Sequence, residues 1–324
     1  MDRETALQTY QNNVSERIKE FQSHIGDYIL ERAEALEAMV KTAMDLLGEQ
    51  MKKQGKEYVC YMYFSFLKAD LINKNFRFML QGLDMQWFLD EEPVEVYVEA
   101  GDLFEPLMEL WSDLKDAGEG FGGAVNCYDI QNIIFDQLPY YDTTVSYILR
   151  YRLREWETKG ILSNVVLSPY WLLKWGQYRD QTEYLIQTDR TEKEEIVWYS
   201  ELAKAKHKPD KMIFSYWYKG TYEENELKEL DLRFITFEES TIKNIKFQDC
   251  NMEGSRFIKC SFTDCTFAGC NLCGADFRGC SFEHTSFDKA ELTAATFPER
   301  SVPFLSISVE QLQVIRIDRE GVSA

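Results

Sequence analysis

Histidine is scarce in this chain of 324 residues, which contains only His24, His207 and His284. None of the three has a second ligand-type side chain at metal-site spacing, so we expect them in ordinary surface or packing roles. A P-loop, an HExxH motif, a nucleophile elbow and a paired-carboxylate signature are also missing. We therefore predict a non-catalytic protein without a bound metal or cofactor. A small-molecule-binding or enzymatic helical domain stays open as an alternative.

Long apolar segments are missing as well. No run of about eighteen apolar residues and no N-terminal apolar segment of the signal-peptide kind occurs, so we expect a cytoplasmic protein that does not enter a membrane. Basic residues are too few to balance the acids, because 36 Lys and Arg stand against 55 Asp and Glu, a net charge of -19. This balance argues against direct binding of nucleic acid, whose phosphates attract basic surfaces.

What the sequence does contain is a large apolar residue at every fifth position, for fourteen steps without a gap. These centres are Leu232, Phe237, Ile242, Phe247, Met252, Phe257, Phe262, Phe267, Leu272, Phe277, Phe282, Phe287, Leu292 and Phe297. A period of five matches neither a helix, at about 3.6 residues per turn, nor a strand, at about 2. It predicts a repeat architecture in which each unit buries one side chain against its neighbours.

A second period of twenty residues runs through the same centres. Those that recur every twenty residues from Leu232 are aliphatic, whereas those that recur from Phe237 are all Phe. Such sorting is expected if four five-residue units make one turn of a solenoid, since residues twenty apart would then lie about 4.8 Å above one another. Five of the eight cysteines lie two places before a centre, where a small inward side chain is needed. We expect these cysteines to be buried thiols in a reducing compartment.

The five-residue units carry a family resemblance. Residues 270–274 (CNLCG) and 275–279 (ADFRG) resemble the A(D/N)LXX pattern of the pentapeptide-repeat family. The resemblance covers residues 228–297 and implies a right-handed quadrilateral β-helix of about three and a half coils. The best understood members bind DNA gyrase as mimics of DNA. The resemblance therefore implies, as an alternative function, a gyrase- or topoisomerase-interacting protein of drug resistance or self-immunity. A C-terminal element mediates dimerisation in several members, which implies a homodimer here.

The predicted fold class is α plus β-solenoid, in four consecutive parts. Residues 1–203 form an acidic, aromatic-rich and mainly helical domain, and residues 204–227 form a linker with the N-terminal cap of the solenoid. Residues 228–297 form the solenoid, and residues 298–324 form a C-terminal cap.

Apolar periodicity predicts the elements of the helical domain. A long amphipathic helix up to residue 47 is followed by a buried, ring-rich helix pair over residues 58–89, and residues 94–99 alternate like a strand. Asp102 is placed to cap the next helix. Further helices are predicted at residues 128–138, 142–158 and 168–186.

Two capping boxes are predicted beyond these helices. Thr191 and Glu194 would start a helix over residues 191–205. Ser308 would start a short helix that caps the solenoid, with Leu312 and Ile315 turned inward.

Charge is distributed unevenly along the chain. Residues 1–227 hold 25 Lys and Arg against 40 Asp and Glu, whereas residues 228–297 hold 8 against 11. Between Asp84 and Glu119, twelve acidic residues stand against a single base, Lys115. The near-neutral solenoid argues against an imitation of DNA by charge, because such a surface should itself be strongly anionic.

The acidic stretch is therefore the candidate partner surface. It is either a solvated face that aids solubility or a docking surface for a basic protein partner. We predict a protein-binding or scaffold protein whose helical domain recognises that partner, with the solenoid as a rigid platform. The candidate residues are Asp84, Asp90, Glu91, Glu92, Glu95, Glu99, Asp102, Glu105 and Glu109.

Overall fold

The computed structural model describes residues 2–319, and the chain folds into two compact units, Met1–Ile186 and Gln187–Ala324. The first unit combines helices with a five-stranded sheet, and the second contains the five-residue repeat. Residues 320–324 of the expected C-terminal cap lie outside the described residues.

Helices form most of the regular structure of the first unit. The expected long N-terminal helix is two helices, α1 (Arg3–Glu31) and α2 (Ala33–Gln54), which Arg32 separates. The others are α3 (Lys68–Ile72), α4 (Gly101–Glu119) and α5 (Cys127–Thr158). Helix α5 replaces the two helices expected between residues 128 and 158, because Pro139 lies inside it without ending it. Asn126 and Asp129 form the capping box at its start.

The first unit also holds a five-stranded sheet in the order β3-β2-β1-β4-β5. Its strands are β1 (Val59–Phe66), β2 (Arg77–Leu83), β3 (Val94–Glu99), β4 (Leu167–Gln177) and β5 (Thr182–Asp189). Strand β2 is antiparallel to both of its neighbours, whereas β1 and β4 are parallel. Helices α2 and α5 pack against the sheet. The strand expected at residues 94–99 is confirmed as β3.

The helix pair expected over residues 58–89 and the helix expected over 168–186 are wrong, because these segments form β1, β2, β4 and most of β5. In β1, Met62, Phe64 and Phe66 join the core under the helices, while Tyr61 and Tyr63 lie on the opposite face. Rings on both sides of the backbone are typical of a strand covered on both faces, and aromatic residues favour strands. The surplus of ring surface is therefore explained by a sheet.

Most strands of the second unit have three residues, and each strand pairs in parallel with one that lies twenty residues away. Phe237 thus lies beside Phe257, and the rings of Phe247 and Phe267 stack with 4.8 Å between their centroids. This is the arrangement of the predicted solenoid; its right-handed quadrilateral form stays a prediction. The strands are β6 (Tyr216–Tyr218), β7 (Thr221–Lys228), β8 (Thr236–Glu238), β9 (Thr241–Gln248), β10 (Arg256–Ile258), β11 (Ser261–Thr263), β12 (Thr266–Ala268), β13 (Ser281–Glu283), β14 (Thr296–Pro298) and β15 (Arg316–Asp318).

The stack also includes residues ahead of position 228. Trp217, Tyr222 and Leu227 are buried and lie in register with the centres twenty residues later. A residue with positive φ recurs at every fifth position from Phe214 to Ala294, which marks one turn per unit. The coils therefore begin within residues 204–227, the segment that the sequence predicts to be a linker and N-terminal cap. Trp and Tyr take the inward place of Phe there, at the same five-residue spacing.

Helix α6 (Glu195–Ala205) lies over the first coil. The buried ring of Trp198 contacts the rings of Trp217 and Tyr222, each with 4.9 Å between centroids. The predicted capping box of this helix is wrong, because Glu194 makes no side-chain cap bond and Thr191 donates to Asp189 instead.

Helix α7 (Val309–Val314) follows the last repeats. Its predicted capping box is confirmed, since the side chains of Ser308 and Gln311 each bond the backbone of the other. Leu312 is exposed, so its predicted inward position is wrong, whereas Ile315 packs against the core.

The inward thiols bond to the coil below them. Cys260 donates to the carbonyl oxygen of Phe237, and Cys280 donates to that of Phe257, at distances of 3.3 and 3.0 Å. All eight cysteines belong to the described residues, and each is a free thiol.

Candidate partner-binding surface

The nine candidate carboxylates of the acidic stretch fall into three groups in the first unit. Asp84, Asp90, Glu91 and Glu92 lie in the connection between β2 and β3. Glu95 and Glu99 lie on β3, where alternation leaves them exposed, while Val94 and Val98 point to the core. Asp102, Glu105 and Glu109 are exposed on α4. The structure thus brings four of the nine together and spreads the other five along an edge strand and a helix.

A buried ion pair holds the first group in place. The Lys56 ammonium contacts a carboxylate oxygen of Asp90 at 2.5 Å, and the two side chains are only 9% and 2% exposed. It also lies 3.6 Å from a carboxylate oxygen of Asp84 and donates to the carbonyl oxygen of Glu92. The Asp90 carboxylate in turn accepts bonds from the backbone N–H groups of Asp84 and Glu92. One carboxylate therefore ties both ends of the connection to the segment that follows α2.

These contacts also set the ionisation of Asp90. Burial alone would raise its pKa, but the hydrogen bonds from Lys56 and from the two backbone N–H groups outweigh burial and hold the pKa below its ordinary value. Asp90 therefore stays ionised at neutral pH and serves the fold, which removes it from the set of carboxylates available to a partner.

Breaking this pair is expected to be costly. The change Lys56→Met leaves two carboxylates without their cation, and the free energy of unfolding of the first unit should fall by about 3 kcal/mol. Adding Asp90→Asn should restore part of that loss, because the uncompensated charge is gone. Denaturant titration of both variants measures the effect.

The control for this cycle is Lys41→Met, which breaks the exposed pair between Lys41 and Asp45. We expect a loss below about 0.5 kcal/mol there. Equal losses for Lys56→Met and Lys41→Met would show that the buried pair contributes no more than a surface pair.

A cavity of about 460 Å³ opens beside the ion pair. Besides Lys56 and the four acids of the first group, its lining includes Glu57, Tyr58 and Gln86. Glu57 is not among the predicted site residues, because it precedes β1 and lies far from the acidic stretch in sequence. Five carboxylates around one lysine make this cavity strongly anionic.

Two further candidates have partners within the first unit. The Tyr28 hydroxyl donates to the Glu105 carboxylate, and the Arg32 guanidinium lies 3.8 Å from the same group. Glu95 accepts a bond of 2.7 Å from the side-chain amide of Gln81. The predicted capping role of Asp102 is wrong, because α4 begins after Ala100 without a side-chain cap. Asp102 lies in the first turn, where the helix dipole favours an acid.

An apolar loop next to the cavity, formed by residues 85–89, differs from the sequence-based expectation. The side chains of Met85, Trp87, Phe88 and Leu89 are 72%, 48%, 48% and 81% exposed. The prediction places these residues among the buried rings of a helix pair. Their position between Asp84 and three consecutive acids, Asp90 to Glu92, is the available signal for an exposed connection.

Hydrogen bonds fix the conformation of this apolar loop. The N–H groups of Trp87 and Asp90 donate to the carbonyl oxygens of Asp84 and Trp87, at 3.1 and 3.0 Å. The indole N–H of Trp87 donates to the Tyr63 hydroxyl at 2.6 Å, and the Phe88 ring stacks on that of Tyr63. Trp87 has a φ of 57°, which is unusual for a bulky residue and is held by these contacts.

None of the three histidines is among the residues that line the cavity. His24 contacts the carbonyl oxygen of Glu20 on its own helix, and His284 lies 3.3 Å from Asp264 in the second unit. Among residues 2–319, no group of three or more His, Cys, Asp or Glu side chains is arranged to hold a metal ion. Within the same residues, no helix combines the length and the hydropathy that crossing a bilayer requires.

Comparisons with solved structures find similar chains at low sequence identity. Two structures of trypsin-treated QnrB1, a plasmid-mediated fluoroquinolone resistance protein, are 14% and 15% identical, each over 26% of this chain, with TM-scores of 0.13 and 0.15. The aligned part spans 57% and 61% of those two chains. A pentapeptide repeat protein from the thylakoid lumen of Arabidopsis thaliana is 16% identical over 36% of this chain and 88% of its own, with a TM-score of 0.15. A search of curated proteins finds no match.

A family model bears out the resemblance that the five-residue units carry. The model for a pentapeptide repeat region matches residues 221–297 and 240–313. The match begins with β7, ahead of the predicted start at residue 228, and includes the first residues of α7. Residues 221–313 of this chain therefore match the pentapeptide repeat region that this family model describes.

Proposed function

We propose that this protein is a non-catalytic binding protein whose first unit recognises a basic protein partner, with the pentapeptide-repeat stack as a rigid platform. The observation that carries the proposal is the set of candidate carboxylates that form no close ion pair with Lys or Arg among the described residues, although Arg77 lies opposite Glu99 on the neighbouring strand and attracts it. These are Glu91, Glu92, Glu95, Glu99, Asp102 and Glu109, which we call the acidic surface.

An unpaired acidic surface has a direct effect on association. Carboxylates that form no close ion pair repel one another, and they attract cations from outside over roughly one Debye length, about 8 Å at physiological salt. Such a surface raises the rate of encounter with a basic partner and disfavours acidic ones. A solubility role needs only scattered charge of both signs, whereas this stretch has one base for twelve acids.

The stack suits the role of a platform. Each coil is bonded to the next by parallel strands and by columns of rings, so that neighbouring units are held rigidly. Exposed apolar side chains around α7, namely Phe304, Val309 and Leu312, support a homodimer as a further proposal, since such patches mark interaction sites.

Two alternatives stay open as proposals. Binding of gyrase or a topoisomerase would use the stack, and the near-neutral balance of residues 228–297 gives it little of the charge that imitation of DNA requires. A small-molecule function would use the cavity beside Lys56, whose carboxylates favour a cationic ligand.

Affinity capture from the native host tests the proposal. The bait is the full chain, compared with a neutralised variant carrying Glu91→Gln, Glu92→Gln, Glu95→Gln and Glu99→Gln. We expect basic proteins that the full chain retains at about 0.15 M salt to be lost from the neutralised variant and to elute from the full chain as salt is raised.

The matched control neutralises four acids of α1 and α2, namely Glu20, Asp27, Glu34 and Glu49. It should retain the same proteins as the unchanged chain. Capture that is identical for all three baits would contradict the role of the acidic surface. Capture of gyrase subunits by all three baits would favour the alternative instead.

A further inference from the structure

The apolar loop of residues 85–89 is exposed in a way that a folded chain normally avoids. Four large apolar side chains around Gln86 are exposed by about half or more, and all four lie on the connection between β2 and β3. Covering the exposed part of each of these side chains by a partner would be favourable, most of all for Met85 and Leu89. Exposed apolar groups of this size, rimmed by polar residues, mark interaction sites.

The loop is also ordered before any partner arrives. The buried pair of Lys56 and Asp90 fixes its two ends, and the bond from Trp87 to Tyr63 fixes its centre. An ordered apolar loop loses little conformational entropy on binding, so more of its contact energy remains as affinity. Trp is also among the residues most often found at the energetic centre of interfaces.

The charges around the loop define the partner. The lining of the anionic cavity includes Gln86 of the loop, and also Asp84 and Asp90, which flank the loop in sequence. Glu57, Glu91 and Glu92 in its lining have no ion pair among the described residues, so the single charge of Lys56 leaves the cavity negative. A Lys or Arg side chain would complement this cavity while apolar neighbours contact the loop.

We infer that residues 85–89 are the anchor of the partner site, and that the partner presents a segment in which apolar side chains adjoin Lys or Arg. The inference rests on the proposed function and deepens it. The apolar side chains of the segment cover Met85 and Leu89, and its basic side chain enters the cavity beside Lys56.

A membrane is the other surface that an apolar loop with Trp and Phe can enter. Anionic headgroups would be repelled by the carboxylates at both ends of this loop, since membrane-binding segments carry Lys and Arg instead. The charge therefore favours a protein segment.

The test uses the full chain and a random sixteen-residue peptide library displayed on phage. The best peptide is then synthesised with a fluorescent label, and its binding is measured by anisotropy. We expect the selected peptides to combine Lys or Arg with apolar residues. The paired change Met85→Ser and Leu89→Ser should weaken binding at least about tenfold, as for residues at the centre of an interface.

The matched control is Leu30→Ser with Ile72→Ser, which removes two half-exposed apolar side chains elsewhere on the first unit. It should leave the affinity unchanged, and unfolding curves should show that neither paired variant has lost its fold. Both Met85 and Leu89 are mostly exposed, so their removal should not disturb the core.

Several results would overturn the inference. Failure to enrich any peptide would do so, as would peptides without basic residues or an affinity unaffected by the loop variant. Retention on vesicles of phosphatidylcholine and phosphatidylglycerol that the loop variant loses would assign the loop to a membrane. If the loop variant still captures the host proteins that depend on the acidic surface, the inference falls and the proposed function stands.

Discussion

Replacing Phe277 by alanine should lower the free energy of unfolding of the second unit by about 3–5 kcal/mol. The Phe277 ring is fully buried and lies between the rings of Phe257 and Phe297, with 4.7 Å between centroids on each side. The coils above and below are held at strand spacing by backbone hydrogen bonds, so they cannot close over the space left behind. The loss of stability therefore includes both the free energy gained by burying the ring and the cost of the cavity that the ring leaves behind.

Denaturant unfolding followed by tryptophan fluorescence measures this loss as a shift of the second unit's transition, which Trp198 and Trp217 report, while the other five tryptophans report on the first unit. The control is Phe304→Ala, which removes a ring that is 79% exposed. We expect it to change stability by less than about 0.5 kcal/mol. Similar losses for the two variants would mean that the ring columns do not carry the stability of the stack.

The second large effect is a pH dependence of the first unit that Asp142 should cause. Asp142 lies on α5, buried among apolar residues, and one of its oxygens accepts a bond of 3.0 Å from the side-chain amide of Gln177. Its other oxygen has no partner at full hydrogen-bond geometry among the described residues, although the indole N–H of Trp175 also lowers the pKa of this carboxyl. Burial raises the pKa of Asp142 to about 7, and the bond from Gln177 opposes this rise only in part.

The direction of the effect follows from proton binding. Between about pH 4 and pH 7, the unfolded chain releases the Asp142 proton while the folded chain keeps it, so rising pH favours unfolding. Stability should therefore fall across this window and level off above pH 7, by a total on the order of 4 kcal/mol. Asn cannot ionise, so Asp142→Asn should match the unchanged protein near pH 4 and be more stable at pH 8.

The measurement is the difference in unfolding free energy between Asp142→Asn and the unchanged protein from pH 4 to pH 8. The contributions of other titrating groups to the pH dependence cancel in this difference. Asp90 is one of them: its lowered pKa adds stability above about pH 4, and this stability is lost as the pH falls through the folded-state pKa. Asp136→Asn, on the same helix, serves as the control. A difference that stays constant with pH would contradict the raised pKa of Asp142.

The second unit could be predicted from the sequence because its contacts repeat at a fixed spacing. Every centre from Leu232 to Phe297 has its neighbours at five and twenty residues, so one pattern determines both the turn and the stacking. Trp217 and Tyr222 obey the same spacing, but their rings are larger than the usual Phe or Leu and do not match the pattern of the later units.

The sheet of the first unit could not be predicted in the same way. Strand β1 carries apolar side chains on both faces, and its eight residues, apolar except for Ser65, have no periodicity that separates a strand from a helix. Its parallel neighbour β4 is more than a hundred residues away, and no local signal indicates that pairing. The acidic stretch is visible in the sequence, but the ion pair from Lys56 and the exposed loop depend on the sheet.

The twenty-residue register of the stack constrains how this chain can change length during evolution. Because four units complete one turn, inserting or deleting a single unit keeps the core intact but rotates every later residue by about a quarter turn. The direction in which Phe304 and α7 point then depends on how many units are left over after the last complete turn of four. Descendants that gain or lose five residues would redirect this end of the protein, whereas those that gain or lose twenty would only move it along the axis.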